Sequence, residues 1–390
     1  MAALPTDRPL RVLIGCDTLT PDVNGAARFT ERLAAGLNER GVEVHLMAPA
    51  PKGVRPGVHY ETIEGVELPV HRIKSQKLWG HEWVRFVFPW RAKREAKRVI
   101  DAVQPDAVHI QSHLLIGRGL AREAHARGIR LLATNHIMPE NILDPKTPKF
   151  FSVPLLKWAW WDEGRVLSLA QEVTTPTRKA ADFLERNTSR RGVVPVSCGI
   201  DQAKYRANFE PRGSQRIVFV GRLNQEKQID TILRSLTHIP EDLNVHFDIV
   251  GGGDQREPLT ALANELGVAD RVVWHGLLPD DELRLTLTNA SIFTIASIAE
   301  LQSIATLEAM ASGLPIIAAD AMALPHLVEV GKNGYLFTPG DDRQLAARIT
   351  EILRLDQPEF EAMQRSSLEM VKAHDISTTL DTFERMYRGE

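Results

Sequence analysis

The sequence predicts an α/β protein of two domains, each a parallel sheet covered by helices. Two observations carry this expectation. Short apolar runs recur along the chain with helical stretches between them, and the pattern breaks near residues 187–201 before a second series begins. Repeated β-α units need crossover helices, which set the strands parallel and cover both faces of the sheet.

In the first series Arg11–Cys16, Glu43–Met47, Ala107–Gln111, Arg130–Thr134 and Glu172–Thr175 are short and apolar, as buried strands are. Ala26–Arg40 and Arg118–Arg127 supply helices between them. The join falls at Asn187–Asp201, where Thr188-Ser189-Arg190-Arg191-Gly192 and Pro195 interrupt the pattern. Strands of the second series start at Arg216, Val245, Val272, Ile292 and Pro315. The expected domains are therefore 1–195 and 196–374, followed by one more helical segment at Asp375–Tyr387.

A chain of 390 residues with 43% apolar content has material for two such domains, and a net charge of −3 argues against a nucleic-acid binder. Cys16 and Cys198 are too few for a disulfide framework and have no metal-ligand spacing around them, which fits a reducing cytoplasm. Met1-Ala2-Ala3-Leu4-Pro5 lacks a hydrophobic signal core, and no apolar run approaches the ~18 residues of a membrane span.

The chemistry concentrates in the second half. Glu300 and Glu308, eight positions apart, bracket Leu301-Gln302-Ser303-Ile304-Ala305-Thr306-Leu307. The apolar run Ile292–Ile295 precedes them and Gly313-Leu314-Pro315 follows, so this stretch reads as a loop feeding a helix N-terminus, a seat for a phosphate. On a continuous helix eight residues would span about 12 Å, whereas the acid and nucleophile of a retaining glycosidase stand about 5–5.5 Å apart. The span suits a diphosphate with a sugar at one end and a ribose at the other; two surface glutamates without a role are the plainer alternative. Upstream, the strand Gln215–Val220 delivers Gly221-Arg222-Leu223-Asn224-Gln225-Glu226-Lys227 onto a helix start. Glycine permits close approach to a ligand, arginine forks onto phosphate oxygens, and lysine adds a point charge. With the Glu pair these residues describe a nucleotide-diphosphate site built from several strand ends.

Taken in order, Gly221-Arg222 with Lys227, the turn Gly251-Gly252-Gly253, the Glu300/Glu308 pair, Ala309–Pro315 and Asn333-Gly334-Tyr335-Leu336 resemble the retaining family 4 glycosyltransferases. The resemblance implies the GT-B fold, two Rossmann-like domains facing a central cleft, with the nucleotide-sugar on the second domain, the acceptor on the first, and the last helix crossing back to the first. It assigns Arg222 and Lys227 to the donor diphosphate, Glu308 to the ribose and Glu300 to the transferred sugar. Gly251 and Gly253 belong to the donor turn, and the run Leu301-Gln302-Ser303-Ile304 to the donor loop. Gly25, within Thr18–Ala27, resembles the glycine loop that approaches the donor phosphates, although Ala26 stands where a second glycine is common; a plain strand-to-helix turn is the alternative. His136, ending Thr134-Asn135-His136, resembles the histidine beside the transferred sugar, at a place that equally suits a packed histidine.

The implied mechanism is a front-face one, in which the leaving diphosphate takes the acceptor proton while Arg222, Lys227 and the helix N-terminus stabilise its charge. No Asp-x-Asp motif is present, so no metal and no cofactor beyond a GDP- or UDP-sugar substrate is expected. Two departures from the family pattern stand out: Leu301-Gln302-Ser303 replaces Gly-Phe-Gly, which bears on donor identity through the backbone contacts to sugar and phosphate, and His326 stands where a Glu is common. Thr134–Glu140 and Ala299–Gln302 look closest to the branch that glycosylates diacylglycerol-type lipids.

A lipid acceptor agrees with a separate feature. Arg72, Lys74, Lys77, Arg85, Arg91, Lys93, Arg94, Lys97 and Arg98 face only Glu82 and Glu95, interleaved with Trp79, Trp83, Phe86, Phe88 and Trp90. Phe150, Phe151, Trp158, Trp160 and Trp161 form a second aromatic group. Basic charge mixed with such aromatics predicts docking of segments 72–98 and 150–161 on an anionic membrane, on the inner face of the cell membrane, the alternative being a basic helix over an aromatic core. Other readings are a small soluble acceptor, a nucleotide-sugar isomerase or phosphorylase on the same fold, and an idle scaffold; the retained Arg222, Lys227, Glu300 and Glu308 count against the last.

Overall fold

The computed structural model describes residues 8–22, 24–77, 85–139, 149–211 and 213–390, with the side chains of Lys77 and of residues 149–151 outside the described set. The chain divides into two compact units, Met1–Ser197 with Thr378–Glu390, and Cys198–Ser377.

In the first unit the elements run β1 (Arg11–Gly15), α1 (Gly25–Glu39), β2 (Glu43–Pro49), β3 (Gly57–Ile63), β4 (Val66–Ile73), β5 (Gln76–Lys77), β6 (Arg85–Phe86), α2 (Pro89–Val103), β7 (Ala107–Ile110), α3 (Leu115–Ala126), β8 (Arg130–Thr134), α4 (Lys149–Leu167), β9 (Glu172–Thr175), α5 (Arg178–Asn187) and β10 (Val194–Pro195). Among the described residues the sheet order is β10-β9-β8-β7-β1-β2-β4-β3, parallel except where β3 runs back against β4. The alternation of apolar runs missed this hairpin, because β3 alternates exposed and half-buried residues. Its turn carries a local signal: Glu64 and Gly65 both take positive φ (50° and 89°), the two-residue hairpin geometry that glycine favours. Strands β1 and β7 lie side by side, and the chain leaves them in opposite directions. The crevice beyond their carboxyl ends is the ligand-binding switch point of an open α/β sheet.

The helices bury one face each. On α2, Ala92, Ala96, Val99, Ile100 and Val103 are buried, the i, i+4, i+7 spacing of an amphipathic helix. Each fully buried Val or Ile contributes about 1.5–3 kcal/mol relative to exposure. The last helix, spanning Ile376–Arg388, closes the unit: Phe383 and Tyr387 are fully buried, and Arg40, the C-cap of α1, reaches Asp381 (2.5 Å) and Glu384 (3.2 Å).

The second unit runs β11 (Arg216–Val220), α6 (Ile229–Ser235), β12 (His246–Val250), α7 (Arg256–Glu265), β13 (Val272–Gly276), α8 (Asp280–Asn289), β14 (Ile292–Ile295), α9 (Ile304–Ala311), β15 (Ile316–Ala319), β16 (Gly334–Phe337), α10 (Asp342–Leu353), α11 (Gln357–Val371) and the start of α12 (Ile376–Arg388). All described strand pairs are parallel, in the order β13-β12-β11-β14-β15-β16. The switch point here lies between β11 and β14. The loops after these two strands hold Arg222 and Lys227 on one side and Glu300 on the other.

Candidate functional site

The second unit brings those two loops together. Ile298 donates its N–H to the Glu226 carbonyl (3.0 Å), Lys227 Nζ donates a short bond to Glu300 Oε1, and Ala323 N–H caps the Glu300 carbonyl at 3.2 Å. The Lys227 and Glu300 side chains are only 15% and 12% exposed, so water screens their charges weakly. Arg222 differs: its side chain is 42% exposed and among the described residues it meets only Glu226, at 3.7 Å, leaving most of its guanidinium open to an anion.

The glycine turn after β12 backs this loop. Gly221 N–H donates to the Val250 carbonyl (3.0 Å) and Leu223 N–H to the Gly252 carbonyl (2.9 Å). Gly251 takes φ +137°, and a Cβ there would stand 1.9 Å from the Gly221 oxygen; one on Gly253 would stand 2.5 Å from the Leu223 oxygen. Backbone packing between two strand-end loops therefore already requires both glycines. Sequence reasoning attributed them to a ligand alone.

Helix α9 starts at Ile304, so Glu300 precedes it in a loop while Glu308 lies within it; the two carboxylates do not share one helix. Ser303 caps α9, accepting from Thr306 N–H (3.2 Å) and from the Thr306 hydroxyl (2.8 Å). Glu308 is buried and accepts from the Tyr205 hydroxyl at 3.2 Å. Leu301 and Ile304 are buried, and the Gln302 side-chain oxygen takes the Cys198 N–H at 2.7 Å. Gln302 thus ties its loop to the start of the unit through its side-chain oxygen. His326, in the place of the common acidic residue, is partly buried and bonded through Nδ1 to the Ala323 carbonyl; burial lowers its pKa.

In the first unit Gly25 opens α1 directly after Asn24, whose side chain caps the helix by accepting from Ala27 N–H (2.9 Å). The neighbouring helix N-terminus is already occupied: Asp17, at the end of β1, accepts from Ile116 N–H (2.9 Å) and from the Ser112 hydroxyl, while burial pushes its carboxyl upward. His136 sits just beyond β8 with Nε2 3.0 Å from Gln111 Oε1 and its ring 4.8 Å from that of Phe29. Burial pushes its imidazole down to about 3, so it is neutral throughout the working range. Behind it His109 bonds Tyr387 and Thr134, each at 2.7 Å. Sequence reasoning missed Asp17, Gln111, His109 and Tyr387; Asp17 and Gln111 follow strands and His109 lies within β7, but Tyr387 is 278 positions from His109.

The basic and aromatic segments divide. Lys93, Arg94, Lys97 and Arg98 are exposed on α2, with Trp90 68% exposed and stacked on Phe88 at 4.7 Å. Trp158 and Trp161 are exposed on α4. Two members leave the surface set. Arg72 is buried, forking onto Glu61 (2.8 and 2.5 Å) and donating to the Pro49 and Thr20 carbonyls (3.0 and 2.7 Å), because β4 points it between the hairpin and the β1 loop. Trp160 is core, edge-on to Phe183 at 5.6 Å. Trp79, Glu82 and Trp83 lie outside the described residues, as do the side chains of Lys77, Phe150 and Phe151. Among the described residues no helix is long and apolar enough to cross a membrane, and no group of three or more His, Cys, Asp or Glu could hold a metal ion.

The family model "Glycosyltransferase Family 4" matches residues 23–204 and "Glycosyl transferases group 1" matches residues 201–367, in tandem over both units. A GDP-mannose-dependent alpha-mannosyltransferase of Corynebacterium glutamicum is 24% identical over 94% of this chain and 85% of its own length. An alpha-monoglucosyldiacylglycerol synthase of Streptococcus pneumoniae is 24% identical over 88% of this chain and 78% of its own. Among solved structures, a sucrose-phosphate synthase from Thermosynechococcus elongatus superposes with a TM-score of 0.81 over 98% of this chain and 99% of its own at 19% identity, a likeness of fold.

Proposed function

This chain belongs to the family 4 glycosyltransferases of GT-B fold, and we propose that it moves a hexose (mannose, glucose or a related sugar) from a GDP- or UDP-sugar to a hydroxyl acceptor, with retention and without a metal. The observation that carries this reading is the Lys227–Glu300 pair at the switch point of the second sheet, with the open Arg222 guanidinium beside it. A diphosphate seated on Arg222, Lys227 and the start of α9 would have its ribose toward Glu308 and its sugar toward Glu300. The C1–phosphate bond breaks as the acceptor oxygen bonds C1 on the same face, and the acceptor proton passes to the departing diphosphate. Lys227 and Arg222 take up the charge that develops on that leaving group, the largest single contribution such a site can make.

The acceptor in this reading is a diacylglycerol-type lipid or glycolipid at an anionic bilayer. The exposed cations of α2 beside Trp90 support it, as does the similarity to an alpha-monoglucosyldiacylglycerol synthase. The protein would then work peripherally on the inner face of the cell membrane. The test is incubation with GDP- and UDP-hexoses and vesicles containing diacylglycerol, with and without EDTA, followed by NMR of the anomeric centre. We expect one donor to be consumed, the anomeric configuration kept, and no effect of EDTA. An inverted product, or isomerisation of the donor without acceptor, would overturn the proposal.

A further inference from the structure

We propose that Gln111 is a positioning residue, holding His136 protonated on Nε2 so that Nδ1 faces outward as a hydrogen-bond acceptor for a hydroxyl of the transferred sugar. The inference rests on the reading of His136 as a sugar contact and adds the device that fixes its state.

Gln111 follows β7 and His136 follows β8, adjacent strands of the first sheet. Gln111 Oε1 stands 3.0 Å from His136 Nε2. An amide oxygen can only accept, so this contact requires a proton on Nε2 and leaves Nδ1 with its lone pair. The direction of the amide is set at its other end. Gln111 Nε2 is 3.3 Å from both ring nitrogens of His109. A group equally distant from both lies over the ring face rather than in its plane, and that electron-rich face attracts an N–H and repels a carbonyl oxygen. Turning the amide round would place its oxygen on the face.

His109 is itself immobilised. Its Nδ1 meets the Tyr387 hydroxyl and its Nε2 the Thr134 hydroxyl, each at 2.7 Å, and Thr134 continues to Thr174 at 2.7 Å. Phe383 of α12 packs on His109 (5.0 Å) and on Phe29 (5.9 Å), the ring that lies against His136. The last helix therefore backs the chain Tyr387–His109–Gln111–His136. His136 is half-buried, and its Nδ1 has no hydrogen-bond partner among the described residues. An amide in this position also keeps the imidazole neutral, whereas a carboxylate there would favour the imidazolium and abolish the acceptor.

The test uses the full chain with 15N-labelled histidine, the His136 signals being assigned by their loss in His136→Ala. We expect a protonated Nε2 and an unprotonated Nδ1 between pH 6 and 8; a protonated Nδ1 would overturn the inference. Gln111→Leu should mix the tautomers and lower kcat roughly tenfold to hundredfold, with nucleoside diphosphate affinity unchanged. Gln111→Glu keeps an acceptor oxygen, so it should recover activity at high pH and lose it as the raised imidazole protonates, moving the acid limb of the pH profile upward. This second variant decides the matter if Gln111→Leu does not fold. Wild-type kcat in Gln111→Leu beside a crippled His136→Ala would overturn the positioning role alone. Wild-type turnover in His136→Ala would overturn the sugar-contact reading instead.

Discussion

Replacing Lys227 by Met keeps the side-chain volume and removes the charge at the centre of the proposed donor half-site. Its ammonium and the Glu300 carboxylate are 15% and 12% exposed and in direct contact. At an effective dielectric near 20 such a contact is worth roughly 4 kcal/mol before desolvation, and the net value of a charge-assisted bond is about 1.5–3 kcal/mol. A diphosphate that takes over this lysine should lose that amount, roughly tenfold to hundredfold in Kd. Glu300→Gln gives the opposite sign: it releases Lys227 from its internal partner, so nucleoside diphosphate affinity should hold or rise while sugar transfer falls. Titration calorimetry with GDP and UDP on both variants, with turnover measured in parallel, separates the two effects. Unchanged affinity in Lys227→Met together with normal turnover in Glu300→Gln would refute the assignment of both residues.

Glu308→Gln should weaken nucleoside diphosphate binding about tenfold, as loss of a charged partner to the ribose hydroxyls; equal weakening for inorganic pyrophosphate, which has no ribose, would contradict the role. Charge reversal of Lys93, Arg94 and Lys97 should release the protein from anionic vesicles, at about 1 kcal/mol per basic residue, while calorimetric binding of nucleotide stays the same; undiminished sedimentation would remove α2 from the docking surface. Burial holds His71, His109, His113 and His136 down to about 4, 3, 4 and 3. Between the ordinary imidazole pKa of ~6.5 and those values the unfolded chain binds more protons than the folded one, so this stabilisation is whole above ~6.5 and is lost on acidification, at a limit of about 1.4 kcal/mol per pH unit for each imidazole. Six of the seven tryptophans lie in the first unit, so the urea midpoint read by their fluorescence should fall from pH 7 to pH 5; a constant midpoint would show that these histidines are not buried neutral.

The strand and helix alternation was legible in the sequence, because apolar periodicity is a property of neighbouring residues, and motif spacing singled out Arg222, Lys227, Glu300 and Glu308 as candidates. Tertiary structure alone decided which of these residues meet. Lys227 and Glu300 pair because β11 lies beside β14, an adjacency that no local pattern specifies. Arg72 and Arg94 are both basic residues of one segment, yet a strand turns the first inward onto Glu61 and a helix turns the second out to solvent. Trp160 and Trp161 are adjacent, and the ~100° step between successive helical residues sends one into the core and the other outside. The His109–Tyr387 contact depends on where the last helix returns after the chain has passed through the second unit. Burial of a polar side chain is set by the elements that surround it, and those elements come from distant parts of the chain.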